Sequence, residues 1–255
     1  MEYIVQAATT RGLRKETNQD SFMARVCETS RGKAVLAVLC DGMGGLSKGE
    51  LASASVVRAF ERWFLNSFPK ISANPISDSV IRSQWTQLAL SMNEKLARFG
   101  RQENLNLGTT ATALLLTEGR YYILQVGDSR CYEIERRVTQ LTEDQSLVWR
   151  EYKEGILTRE EAEKDPRRNI LLECIGADQR VNPQFVFGTP KKNAVYLLCC
   201  DGFYHELSQN ELKTELSAAS TGDEDSIRRR LEGLINTCMD RQEQDNISAL
   251  AVRTF

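Results

Sequence analysis

Two apolar runs end in the same way. Val-Leu-Ala-Val-Leu-Cys leads into Asp41-Gly42 and Val-Tyr-Leu-Leu-Cys-Cys into Asp201-Gly202, so a carboxylate stands twice at the exit of a run that reads as a buried strand. A single Asp-Gly is ordinarily only a turn. Asp20 and Asp245 stand immediately before apolar runs, and Asp128 follows a further run through Gly127. A short polar turn joins runs 21–26 and 34–40, so antiparallel pairing brings Asp20 beside Asp41. The same pairing of the last run with 195–200 brings Asp245 beside Asp201. Carboxylates gathered at one end of a sheet repel one another and are costly to bury unpaired, so a cation is required among them. With oxygen ligands only, and no His or Cys at metal-ligand spacing, Mg²⁺ or Mn²⁺ suits the set better than zinc or copper. Glycine after Asp41 allows a carbonyl or a close turn to approach the ion.

These acids are positioned by short β-branched runs that read as strands at 4–8, 21–26, 34–40, 110–116, 121–126, 185–187, 195–200 and 247–252. Ile81, Trp85, Leu88, Met92, Leu96 and Phe99 recur at helical spacing, as do Ile227, Leu231, Leu234, Ile235 and Cys238. A third helix is expected over about 49–64, and Ser208 with Glu211 forms a capping box for a fourth. Helices come in blocks between hairpin-like strands, without βαβ alternation, which predicts an α+β fold: two antiparallel sheets with helices outside. The polar stretch 144–178 reads as a flap on one domain spanning 1–255, with no composition break to divide it.

The chain has 255 residues, 33 Lys plus Arg, 35 Asp plus Glu and 41% hydrophobic residues, so a globular fold is expected. A net charge of −2 lacks the basic excess of a nucleic-acid binder. No run approaches the roughly 18 apolar residues of a membrane span, and no membrane partner is expected. Seven cysteines without a C-x-x-C pair fit reduced, buried thiols and a cytoplasmic location.

In order along the chain stand Gly12 through Asn18-Gln19-Asp20, Asp41-Gly42-Met43-Gly44-Gly45 with Gly49-Glu50 and Ala52-Ser53, Gly108-Thr109-Thr110, and Val126-Gly127-Asp128-Ser129-Arg130. Leu141-Thr142, Pro166-Arg167-Arg168-Asn169, Gly176, Asp201-Gly202 and Asp245-Asn246 follow. Any one of these is weak, but the ordered set resembles the metal-dependent protein phosphatases, also called protein phosphatase type 2C, over nearly the whole chain. The resemblance implies a four-layer α-β-β-α sandwich and hydrolysis of phosphoserine and phosphothreonine by a hydroxide bridging two Mn²⁺ or Mg²⁺ ions. It implies that Asp41 bridges the ions, that Asp201 and Asp245 complete the first and that the Gly42 carbonyl serves the second. Asp128 with Asp201 then holds a third, weaker ion, and Asp20 acts through a metal-bound water. The implied partners are phosphorylated protein substrates of a serine/threonine kinase.

Several positions depart from that family. Met43 stands where many animal members carry a proton-donating His, so a metal-bound water is expected as the acid; His205, a lone residue past a turn, is read as incidental. Lys15, with Arg14 beside it, replaces an Arg that clamps substrate phosphate. If the segment is extended, only one of the two reaches the phosphate, and Lys15 is the choice. Gln19 replaces a Glu, while Gln145 and Asp165 stand where histidines are frequent. Two other readings use the same residues: a catalytically dead scaffold of this fold, which normally lacks a bridging Asp, and a hydrolase of a small phosphate ester.

Overall fold

The computed structural model describes residues 1–43, 48–176 and 180–255. Gly44, Gly45 and the end of the expected flap at 177–178 lie outside the described residues.

Among the described residues, ten strands form two antiparallel sheets. In one, β2 (Ser21–Thr29), β3 (Gly32–Cys40), β4 (Ala111–Leu116), β5 (Tyr121–Val126) and β8 (Gln184–Gly188) lie in that order. In the other the order is β1 (Tyr3–Thr10), β10 (Ile247–Thr254), β9 (Val195–Cys199), β6 (Arg130–Ile134) and β7 (Val138–Gln140). Strand β3 shows why the layers stack. Its alternate residues Val35, Ala37 and Leu39 face the core shared with the second sheet, whereas Leu36, Val38 and Cys40 pack with helix residues Val56, Phe60 and Trp85. A strand covered on both faces reads as a continuous apolar run, which is the form this run takes.

Helices α1 (Gly49–Asn66), α2 (Phe68–Ser72) and α3 (Asp78–Glu103) cover the first sheet. On the outer face of the second, α7 (Gln209–Leu216) and α8 (Glu224–Asp240) bury Leu212, Leu216, Ile227, Leu231 and Cys238. This is the expected four-layer α+β sandwich. Ser208 caps α7 through the capping box with Glu211. Within the flap stretch lie two short helices, α4 (Leu147–Lys153) and α5 (Arg159–Lys164).

Two expectations change. Strands β6 and β7 are absent from the sequence reading because charges interrupt their pattern; Glu133 is nevertheless buried, taking a 2.8 Å hydrogen bond from the Tyr196 hydroxyl and pairing with Lys191 at 2.7 Å. Phe99, expected in the α3 core stripe, is exposed, and Gly100 takes the buried place. The chain passes from the first sheet to the second between β5 and β6. Gly127 makes that crossing at φ +94°, where a Cβ would stand 2.6 Å from the Thr110 methyl.

Candidate metal centre

Hairpin register places the first acids. Ser21 pairs with Cys40 across β2 and β3, so Asp20 and Asp41 extend beyond the last rung together. In the second sheet Ala249 pairs with Cys199, and the strand ends carry Asp245 and Asp201 to the same side. Asp201 opens the short helix α6 (Asp201–Tyr204), and its Oδ1 accepts from the Gly202 amide at 2.7 Å.

The Asp41 backbone is clamped. Its amide donates to Thr110 Oγ1 at 2.9 Å, and its carbonyl accepts from the Thr110 amide at 2.8 Å and the Thr109 hydroxyl at 2.9 Å. Asn246 fixes the approach to Asp20. Its Oδ1 accepts from the Gln19 amide at 2.9 Å, while its Nδ2 donates to the Arg11 and Thr17 carbonyls at 2.9 and 3.1 Å. Gly42 is wedged between the Gln19 and Gly49 carbonyls, each 2.5 Å from where a Cβ would stand, so any side chain would collide with backbone. None of the clamping roles of Thr109, Thr110 and Asn246 is assigned by the sequence reading. The only signal was their presence in the ordered motifs, since a polar dipeptide and an Asn beside a strand resemble turn residues.

Among the described residues, one trio of metal-ligating side chains has its ligand atoms within 4.8 Å of one another: Asp20, Asp41 and Cys200. Asp201, Asp245 and Asp128 lie around it, near enough that their charges act on Asp41. Cys200 is one of the expected buried thiols, and it lies beside two of the acids. The sequence places it beside Asp201, but its nearness to Asp20 and Asp41 arises across the two sheets.

Burial is the main cause of the site's electrostatics. It raises the Asp41 and Asp128 carboxyls well above the ordinary range, with neighbouring aspartates adding to it. Asp201 is pushed up to about 7 by burial, then by Asp245 and Asp20. Burial likewise moves Asp20 to about 6; the Ser248 hydroxyl and Cys200 thiol nearby offset it only in part, and neither Asp20 oxygen meets a donor in bonding geometry. Burial works against the Lys15 charge, but its 2.8 Å contact with Asp245 and the charges of Asp41 and Asp201 outweigh it and raise its pKa. Asp20, Asp41, Asp128 and Asp201 have no ion-pair partner among the described residues, whereas the nearby Arg130 pairs with Asp144 at 2.7 Å. Hard oxygen donors, orphaned buried oxygens and a backbone cradle at Gly42 together fit divalent cations.

A cleft of about 400 Å³ opens beside the acids, lined by Arg14, Lys15, Arg168, Asn169, Asp201 and Asp245 among others. Residues 12–14 form a turn and not an extended segment, so Arg14 and Lys15 both reach this cleft. Arg168 is a further cation of the cleft, one to which the sequence alone gives no role. His205 also lines the cleft; burial, then Arg168 and Arg130, lower its pKa to about 3, so it is neutral. Gln145 is a bracket, accepting from the Gly127 amide at 2.8 Å and donating to the Asn182 carbonyl at 3.1 Å. Asp165 is held by Arg167 at 2.8 Å.

The model of the family described as Protein phosphatase 2C matches residues 10–247. The serine/threonine phosphatase stp of Listeria monocytogenes serotype 4b is 29% identical over 248 residues, covering 96% of this chain and 93% of that protein. The crystal structure of the serine/threonine phosphatase Stp1 from Staphylococcus aureus superposes with TM-score 0.86 at 27% identity, covering 100% of this chain and 96% of the other. The structure of the Mycobacterium tuberculosis serine/threonine phosphatase PstP/Ppp gives TM-score 0.79 at 26% identity, covering 99% and 98%.

Proposed function

Because this chain belongs to the protein phosphatase 2C family, we propose that it is a protein serine/threonine phosphatase whose Asp41, Gly42, Asp201 and Asp245 hold two Mn²⁺ or Mg²⁺ ions. Asp128 with Asp201 holds a third, weaker one. The observation that carries this reading is that Asp20, Asp41, Asp128 and Asp201, buried or half-buried, have no ion-pair partner among the described residues and stand beside a cleft whose lining includes Arg14, Lys15 and Arg168. Two such ions, when bound, supply an activated water for in-line attack on phosphorus and neutralise the phosphate oxygens.

The chain's own residues do the rest. Lys15, assisted by Arg14, draws the substrate phosphate to the acid side of the cleft, while Arg168 and Asn169 face it from the flap. Asp20, whose buried oxygens lie beside Asp41 and meet no donor, would accept a hydrogen bond from water in the site and orient it. Neither Met43 nor neutral His205 is a proton donor, so the leaving serine or threonine alkoxide takes its proton from water. Burial raises the Cys40 and Cys200 thiols well above their ordinary pKa, which argues against a cysteinyl phosphoenzyme. The intact aspartate set argues against a dead scaffold. No helix among the described residues is long and apolar enough to cross a membrane, and seven cysteines without a C-x-x-C pair suit a reducing cytoplasm, where serine/threonine kinases supply phosphoprotein substrates.

The test is phosphate release from a phosphothreonine peptide with Mn²⁺, with Mg²⁺ and with chelator, alongside Asp201→Asn and a competing small phosphate ester. Turnover that needs metal, falls by about a thousandfold or more in the variant and resists the small ester is the expected result. A wild type that binds metal yet hydrolyses neither peptide nor aryl phosphate would establish the scaffold reading instead.

A further inference from the structure

Cys200 is a soft donor in an otherwise hard site. It follows β9, where alternation sends neighbouring side chains to opposite faces: Cys199 lies toward Cys238 of α8, and Cys200 turns to the space between the sheets, beneath the acids. Its Sγ and the Asp20 and Asp41 carboxylates lie within 4.8 Å of one another. Independently, both Asp20 oxygens are buried without a hydrogen-bond partner, leaving acceptor atoms in the trio unused. The other cysteine beside an acid, Cys40, belongs to the helix-side core.

We propose that Cys200, Asp20 and Asp41 form a capture site for a thiophilic divalent ion, Zn²⁺ or Cd²⁺, and that an ion held there blocks phosphatase action by occupying Asp41. Ligands at about 2.3 Å for sulfur and 2.1 Å for oxygen stand about 3.5 Å apart around a tetrahedral ion, so a trio within 4.8 Å has at most about 1.3 Å to close. Binding converts the thiol to a metal-bound thiolate and releases its proton to solvent, with no change of oxidation state. The Ser248 amide already donates to Sγ at 3.1 Å and supports the thiolate, while the 3.3 Å bond from Sγ to the Asn246 carbonyl is given up. Sulfur selects zinc or cadmium over manganese or magnesium, so the two ion classes compete for Asp41 by different donors. Only the blocking effect rests on the proposed phosphatase reading; the binding does not.

The experiment titrates metal-free protein with Cd²⁺ and follows the ultraviolet thiolate-to-cadmium charge-transfer band. Wild type, Cys200→Ser and Cys27→Ser are compared, Cys27 being the half-buried cysteine. Expected are a band that saturates at one ion per chain and is suppressed by excess Mn²⁺, an unchanged band in Cys27→Ser, and at least about a hundredfold weaker Cd²⁺ binding in Cys200→Ser. Serine keeps a donor and acceptor for Asn246 and Ser248, and a retained Mn²⁺-induced rise in melting temperature shows that the variant is folded. Mn²⁺-supported turnover of Cys200→Ser should also tolerate about a hundredfold more Cd²⁺. An undiminished band in Cys200→Ser, or no band in a wild type that still binds Mn²⁺, overturns the proposal. If the band behaves as expected in a protein without phosphatase activity, the phosphatase reading fails and the capture site stands.

Discussion

Replacing Asn246 by Ala removes three hydrogen bonds at once, a buried one from the Gln19 amide and two part-buried ones to the Arg11 and Thr17 carbonyls. Asn246 is 2% exposed, so water does not readily replace them. At about 1 kcal/mol per bond the loss is about 3 kcal/mol. At roughly 3 °C per kcal/mol for a chain of this size, the melting temperature should fall by about 9 °C. The damage has a functional side, because these bonds fasten the segment carrying Lys15, Gln19 and Asp20 against the second sheet. The Mn²⁺ concentration for half-maximal activity should therefore rise about tenfold or more, as when an outer-shell residue is removed. Urea unfolding gives the first quantity and a Mn²⁺ titration of peptide hydrolysis the second. A variant within about 0.5 kcal/mol of wild type, with unchanged Mn²⁺ dependence, would refute the view that Asn246 holds the site together.

Further outcomes follow from the same geometry. Lys15→Ala should raise KM for a phosphopeptide about tenfold, with a smaller rise for Arg14→Ala, as measured by initial rates; unchanged KM in both would return these cations to the solvent. Met43→Gly should leave kcat within about twofold, since no proton passes through that side chain; a large loss in a folded variant would contradict this. In chelator, stability should fall as pH rises from about 4 to 7. Asp20 and Asp201 keep protons up to about 6 and 7 in the native state, whereas unfolded aspartate loses its proton near 3.8, so the unfolded state gains first. Each carboxyl contributes a slope of up to about 1.4 kcal/mol per pH unit. Urea midpoints across that range should decline, less steeply in Asp201→Asn.

The acids were legible because apolar strands end abruptly, and an Asp at such an end has its position set by the strand. Hairpin connectivity then brought Asp20 to Asp41, as the Ser21–Cys40 rung shows. Strands β6 and β7 were not legible, since Arg130 and Glu133 break the apolar pattern and are satisfied by partners distant in sequence. Arg14 and Lys15 depend on a turn that brings both to one cleft, where alternation would have separated them. The clamps from Thr109, Thr110 and Asn246, and the approach of Cys200 to Asp20, are contacts between strand ends from different parts of the chain, for which local patterns carry no signal.

Asp41 is proposed to serve both divalent ions of one centre, which would supply the activated water for hydrolysis. Electron paramagnetic resonance of the Mn²⁺-loaded protein, with peptide turnover measured on the same sample, tests it directly. The expected result is an exchange-coupled Mn²⁺ pair in an active wild type, and loss of both coupling and turnover in Asp41→Asn. Turnover by wild-type protein with uncoupled Mn²⁺, or coupling that survives in Asp41→Asn, would contradict it.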